Sequence, residues 1–299
     1  MKKLKIVNAI DEYYKSLDYR NLSKSSQKDY KYCLDTLLNT PIGTRIVRSM
    51  SLTTLTVPQA QRAYNHWAER GLSFADHTCK VASKLYNFSI QLGYCTLNPF
   101  SKVSRRPYKP RKVVWTREDI TRFLNVAYSS FNTRSVGLIV QMAHEWCQRL
   151  GDMTQLRWEN YDFNERVLYL EQSKRRAKVE LPTTNELHEM LVQQKQEIGF
   201  QPYVAPICRE SKVTGTTYNK HTISMAARRI MRKAGLPEEL QIMDMRRTGT
   251  MEMVDAGVPL PQIMAVTGHA TPSSVAPYMK HTLTSAKKAA TLRFTSTPG

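Results

Sequence analysis

The feature that most constrains this chain lies a third of the way along it. Asn98-Pro99 closes a run of helical patterning, and Ser101 to Val113 then carries six basic residues (Lys102, Arg105, Arg106, Lys109, Arg111 and Lys112), no acidic residue and two prolines. Proline removes a backbone donor and fixes φ, so no regular helix or central strand can run through such a stretch. The 299 residues are therefore expected to fold as two units, residues 1–100 and 115–299, with 101–114 as an extended linker. Six like charges repel one another unless a polyanion lies alongside, which suits the linker to a phosphate backbone better than to plain solvent.

The whole chain leans the same way. Lys and Arg number 44 against 25 Asp and Glu, a net charge of +19 with a pI near 9.8. Such an excess calls for an anionic partner, with DNA or RNA first and an anionic membrane surface second. No apolar run approaches a membrane span, and the basic start at Met1-Lys2-Lys3 lacks the apolar stretch of a secretory signal. Five scattered cysteines argue against a disulfide framework or a zinc knuckle and for a reducing, cytoplasmic setting.

The patterning predicts a mainly α protein with a small β-sheet. In the first unit, Ile6, Ala9, Ile10, Tyr13, Tyr14 and Leu17 share one helical face. Ser23 can cap a second helix carrying Tyr30, Cys33, Leu34, Leu37 and Leu38, and Thr56 a third with Pro58 in its first turn. A fourth runs from about Ala75 to Leu92. In the second unit Thr116 opens a helix to about Ala127, and another is expected from Ser135 to Arg149. Val167–Glu171 and Lys178–Pro182 alternate as two strands around a polar, basic turn. Helices follow to about residue 292.

Four segments of the second unit carry chemistry-bearing residues. They are Arg149 with Asp152 and Trp158; Glu171-Gln172-Ser173-Lys174 at the strand turn; Met243-Asp244-Met245-Arg246; and Thr267-Gly268-His269 followed nine residues later by Tyr278. This order and spacing resembles the tyrosine recombinase family of phage integrases and chromosome-dimer resolvases. That family places an Arg three residues before an acid and nine before a Trp, then a Lys in a β-hairpin turn. A His-x-x-Arg box follows, then Leu-Gly-His and a nucleophilic Tyr. The resemblance covers nearly the whole chain, with residues 1–100 in the form of the family's core-binding domain. It implies a helical DNA-binding domain joined to a mixed α+β catalytic domain that works as a homotetramer on two DNA duplexes, with accessory DNA-bending proteins as further partners.

The resemblance also implies roles. Tyr278 is the nucleophile, Arg149 and Arg246 clamp the phosphate, His269 adds a hydrogen bond and Lys174 protonates the leaving oxygen. Asp152 is a buttress or a helix cap. Lys102, Arg105, Arg106, Lys109, Arg111, Lys112, Arg175 and Arg176 touch DNA. The chemistry is coherent by itself: guanidiniums can hold non-bridging phosphate oxygens bidentately, an ammonium can act as general acid, and a phosphotyrosine ester stores the bond energy for religation. Neither a metal nor a nucleotide cofactor is expected. Alternatives stay open at several positions: Arg175, Arg176 and Lys178 crowd Lys174, Arg247 adjoins Arg246, and His281 lies near His269.

Met243 stands where the family has His, and a thioether cannot relay a proton. It either leaves proton transfer to Lys174 or water, or is simply packed in the core. Pro277 suggests that Tyr278 begins a helix rather than sits inside one. A mobile-element integrase is the expected role. A housekeeping resolvase is the alternative, favoured by the lack of an arm-binding domain ahead of the first helices, and a non-catalytic DNA-binding relative is another. Residues after about Thr282, including Ala286, Ala289, Ala290, Leu292 and Phe294, are expected to pack into a neighbouring protomer.

Overall fold

The computed structural model describes residues 4–108 and 111–278, together with Lys287, Ala290, Thr291 and Arg293. Lys109, His281, Thr282, Ala286, Ala289, Leu292 and Phe294 lie outside the described residues. The chain forms two compact units, Met1–Arg111 and Lys112–Gly299.

In the first unit, helices α1 (Ile6–Lys15), α2 (Leu17–Arg20), α3 (Lys24–Leu38), α4 (Val57–Arg70) and α5 (Leu72–Gln91) enclose one core, and β1 (Pro41–Ile42) and β2 (Arg45–Ile46) form a small hairpin between α3 and α4. The expected face of α1 is buried at Ile6, Ala9, Ile10 and Tyr13, but Leu17 is 73% exposed. The reason is local. Ser16 stops α1 and its side chain accepts from the Tyr19 amide, capping α2 and turning Leu17 outward. Ser23 caps α3 through the Ser26 amide, and Gln59 reaches back to the Thr56 amide at the start of α4.

The stretch expected to be a free linker is partly folded. Pro99–Lys102 forms a 3-10 turn that buries Phe100 completely, and Val103 is buried after it. Gln61 holds the Ser104 backbone at both its amide and its carbonyl, and the Arg106 amide donates to the Tyr64 hydroxyl. An apolar anchor at Phe100 thus draws the first half of the basic stretch onto the first unit. Lys102, Arg105, Arg106 and Lys112 keep exposed side chains, while Arg111 is half-buried.

The second unit is built around α7 (Phe131–Glu145), whose Val136–Ala143 segment is buried on every side, with α6 (Arg117–Tyr128) packed against it. Thr116 and Asp119 cap α6 reciprocally. After the short α8 (Leu150–Thr154) comes a three-stranded antiparallel sheet, β3 (Tyr161–Asp162), β4 (Val167–Glu171) and β5 (Lys178–Pro182). Central strand β4 pairs with β5 from Val167 opposite Pro182 to Glu171 opposite Lys178, sending Leu168, Leu170, Val179 and Leu181 inward. Helix α9 (Asn185–Ile198), a hairpin of β6 (Cys208–Arg209) and β7 (Lys212–Val213), and helices α10 (Lys220–Lys233), α11 (Met245–Ala256) and α12 (Leu260–Thr267) complete it. The three two-residue pieces β3, β6 and β7 were not expected, being too short to show alternation.

The helix expected through Arg149 ends earlier, at Glu145. Cys147 adopts a positive φ of 51°, and Arg149 is extended at the N-cap of α8. This break lifts Arg149 off the core helix and aims it at the strand turn. Helix α11, which carries Arg246, is pressed onto α7 at Gly249, where an added Cβ would come 2.6 Å from both Cys147 Sγ and the His144 carbonyl oxygen. His144 Nε2 also meets Glu252 at 2.9 Å across the same pair of helices. Gly249→Ala should therefore force α7 and α11 apart, at a cost of about 1–3 kcal/mol. A thermal melt would show a fall of several degrees, and an unchanged midpoint would mean that the contact has slack.

Candidate active site

Three backbone devices converge on one cleft. The break before α8 presents Arg149, the first turn of α11 presents Arg246, and the left-handed cap of α12 at Gly268 (φ 65°) turns the chain so that His269 faces Arg246. Gly268 leaves no room for a side chain, since a Cβ there would lie 2.5 Å from Gln172 Nε2. Beyond it, 3-10 turns at Pro272–Ser274 and Ala276–Tyr278 bring the half-buried Tyr278 back. Tyr278 closes a turn, with its amide donating to the Val275 carbonyl, and the helix expected to begin at it lies outside the described residues.

Two buried glutamines organise these pieces. Gln172, fully buried at the end of β4, accepts from Arg149 Nη1 at 2.6 Å. Its amide nitrogen donates to Gln148 Oε1 at 2.7 Å and to the Thr267 carbonyl at 2.9 Å. Gln148, also fully buried, donates to the carbonyls of Trp146 and Val266, both at 2.7 Å. The Thr267 carbonyl in turn accepts from Arg246 Nη2 at 2.6 Å. One continuous network thereby ties α8, the β4–β5 turn, α11 and the end of α12. Neither glutamine was singled out in the sequence, where a glutamine beside a motif residue looks like any surface glutamine.

The electrostatics are those of an anion site. Arg149 and Arg246 share the cleft, and Asp152 Oδ2 approaches Arg149 Nη1 only to 4.0 Å. Asp152 is buried, and its other oxygen accepts from the Ser173 amide at 3.2 Å, holding the strand turn. Burial, then the neighbouring Arg149, bring the Arg246 pKa down to about 10, and Arg246 Nη1 is buried without a hydrogen-bond partner. A buried cation with an open donor beside a second cation is completed by an anion. His269 is pushed down to about 4 by burial first, and then by Arg246, Arg175 and Arg149. Its ring lies 6.1 Å from that of Tyr278, over which Arg247 sits at 6.0 Å.

The structure brings Arg149, Arg246, His269, Tyr278 and Asp152 together. It leaves Lys174 exposed on the turn, with no hydrogen bond or ion pair among the described residues, while Arg176 beside it pairs with Glu171 at 3.1 Å. Arg175 is also exposed, yet its charge reaches His269. Met243 is 52% exposed and lines a cavity of about 290 Å³ with Arg149, Arg246 and Lys220, which overturns its reading as a packed core residue. Lys220, at the start of α10, carried no signal in the sequence because nothing there places it near the arginines. The one His/Cys/Asp grouping of metal-ligand character among the described residues is Asp29, Cys33 and His77 in the first unit. There His77 Nε2 meets Asp29 directly at 2.5 Å, a side-chain contact joining α3 and α5.

Comparison with known proteins places the chain. Residues 114–284 match the model of the phage integrase family, and the chain belongs to that family. An integrase of Enterobacteria phage 434 is 28% identical over 143 residues, 45% of this chain and 38% of that relative, so the match spans well under half of that integrase. A lambda integrase tetramer bound to a Holliday junction superposes with a TM-score of 0.78 at 17% identity, over 93% of this chain and 78% of that one. The Tn1549 transposon integrase in complex with a circular intermediate DNA gives 0.77 at 14% identity, over 97% and 99%. These likenesses establish the fold, and no helix among the described residues is long and apolar enough to cross a membrane.

The His269 environment sets a pH dependence. The unfolded state binds a proton near pH 6.5 whereas the folded imidazole stays neutral to about 4. Between these values the unfolded chain holds more protons, so stability is full above about 6.5 and falls as pH drops through that window. Denaturant midpoints at pH 7 and pH 5 should differ in the wild type and differ less in His269→Gln. Equal differences in both would place the effect elsewhere.

Proposed function

We propose that this chain is a site-specific DNA recombinase that cuts and rejoins DNA through a covalent bond to Tyr278. The observation that supports this best is the pairing of two guanidiniums, one buried with an open donor, in a cleft shared with a neutral imidazole and a tyrosine. A phosphodiester supplies the missing negative charge. Arg149 and Arg246 hold its non-bridging oxygens and stabilise the charge that builds on them in the transition state. The Tyr278 oxygen bonds to phosphorus, the bond to the 5′ oxygen breaks, and Lys174 gives that oxygen a proton from the strand turn. The 3′ phosphotyrosine then waits for a 5′ hydroxyl from another strand, so no external energy is needed.

In this reading residues 1–100 grip the duplex from their own side, and Lys102, Arg105, Arg106, Lys109, Arg111, Lys112, Arg175 and Arg176 contact phosphates. The substrate is double-stranded DNA carrying recombination sites. Four protomers act on two duplexes, with accessory bending proteins as possible company, to integrate or excise a phage or another mobile element.

Tyr278→Phe should abolish covalent adducts with a nicked suicide duplex while specific binding stays within a few-fold. Arg246→Ala should slow cleavage by about a hundredfold or more. An adduct mapped to another tyrosine, or an Arg246→Ala variant that cleaves at the wild-type rate, would remove the corresponding assignment. A duplex with sulfur at the bridging 5′ position needs no proton on departure, since a thiolate is a far weaker base than an alkoxide. That substrate should restore cleavage to Lys174→Ala and not to Arg246→Ala. Rescue of Lys220→Ala in place of Lys174→Ala would transfer the acid's role to the cleft wall.

A further inference from the structure

His269 lies in a hydrogen-bond frame that fixes which of its ring nitrogens carries the proton. Thr267, fully buried at the end of α12, sends its hydroxyl to the Ile263 carbonyl at 2.7 Å. A carbonyl can only accept, so the single hydroxyl proton is committed there. The same oxygen lies 2.7 Å from His269 Nδ1, and that contact is a hydrogen bond only if Nδ1–H donates. The other side of the ring agrees. Nε2 faces Arg246 Nη2 at 3.4 Å, and a guanidinium can only donate, so a proton on Nε2 would set donor against donor. Both contacts specify the same neutral tautomer, with Nε2 bare on the Arg246 side and the ring 6.1 Å from that of Tyr278.

This frame depends on Thr267. The motif this segment resembles has Leu where Thr267 stands, and a leucine offers no oxygen to Nδ1. The other departure from the resembled pattern is Met243 in place of His, and Met243 lines a cavity with Arg149 and Arg246. We propose that the two departures are coupled: Thr267 is a positioning residue that holds His269 as a proton acceptor, and His269 Nε2 takes the phenolic proton of Tyr278 during cleavage. The inference rests on the recombinase reading above. The Tyr278 O–H bond breaks as its oxygen bonds to phosphorus, the proton passes to Nε2, and the 5′ oxygen leaves with a proton from Lys174. The imidazolium so formed keeps its Nδ1–H on Thr267 and turns its new Nε2–H toward a non-bridging oxygen.

The charges around the ring fit this sequence. Arg246, Arg175 and Arg149 all disfavour a protonated His269 in the free protein. A bound phosphodiester puts a negative charge among those three cations, so the imidazole gains basicity when substrate arrives. Tyr278, the other titratable group against the ring, is the proton donor.

The test separates tautomer from turnover. Nitrogen-15 NMR of the DNA-free protein, with His269 assigned through His269→Gln, should show a protonated Nδ1 and a bare Nε2. A proton on Nε2 would overturn the proposal whatever the enzyme does. Single-turnover cleavage of a suicide duplex across a pH series follows. Thr267→Val keeps the shape and removes the oxygen. It should cut the rate tenfold or more near neutrality and move the rising limb of the profile to higher pH, with DNA affinity unchanged. Thr267→Ser should restore both. A folded Thr267→Val with the wild-type rate and profile would also overturn the proposal. Wild-type protein that forms no adduct at all would instead refute the recombinase reading, leaving the NMR result to stand by itself.

Discussion

The second unit is organised around the cost of holding two arginines in one cleft. Arg149 and Arg246 repel each other, and the Asp152 carboxylate stops 4.0 Å short of Arg149. What holds them is a set of neutral dipoles: the Gln172 amide oxygen on one guanidinium, the Thr267 carbonyl on the other, and the Gln172 nitrogen joining the two through that carbonyl. A carboxylate in place of Gln172 would neutralise the site and close it to phosphate. An amide orients the arginines and leaves their charge available. Buried amides must also be satisfied, and Gln148 completes the requirement by accepting from Gln172 and donating to the Trp146 and Val266 carbonyls.

This arrangement makes packing far from the cleft matter to it. Arg246 can meet the Thr267 carbonyl only because α11 lies on α7 without a side chain between them at Gly249. The Trp115 amide donates to the Thr248 hydroxyl and its indole to the Gln241 carbonyl, fixing the start of α11 from the opposite side. At Gly268 the left-handed turn and the close approach of Gln172 impose the same residue for two separate reasons. The strand turn is tied in through the Ser173 amide on Asp152, while its tip with Lys174 stays in solvent.

Much of this was legible in the residues. The paired strands at 167–171 and 178–182, the caps at Ser23, Thr56 and Thr116 and the core face of α3 follow from periodicity and capping chemistry, which act over a few residues. The first of the two units runs past the expected linker start at Phe100 and Val103, because two buried apolar side chains outweigh the pull of the charges. Leu17 was misread because periodicity cannot see that Ser16 ends one helix and starts another. The helix expected to reach Arg149 stops at Glu145 because the positive φ at Cys147 is a tertiary requirement with no glycine to announce it.

The sequence by itself determined which residues could bear the chemistry: spacing brought Arg149, Arg246, His269 and Tyr278 forward, all within the stretch 114–284 that matches the phage integrase family. The tertiary structure alone decided how they are held. That Gln172 and Gln148 are buried against each other, that Met243 lines the cleft with Arg149 and that Lys220 shares its wall all depend on contacts between segments roughly 20 to more than 100 positions apart. Side-chain burial and proton placement are properties of such contacts, and a linear pattern encodes only the spacing of residues along one element.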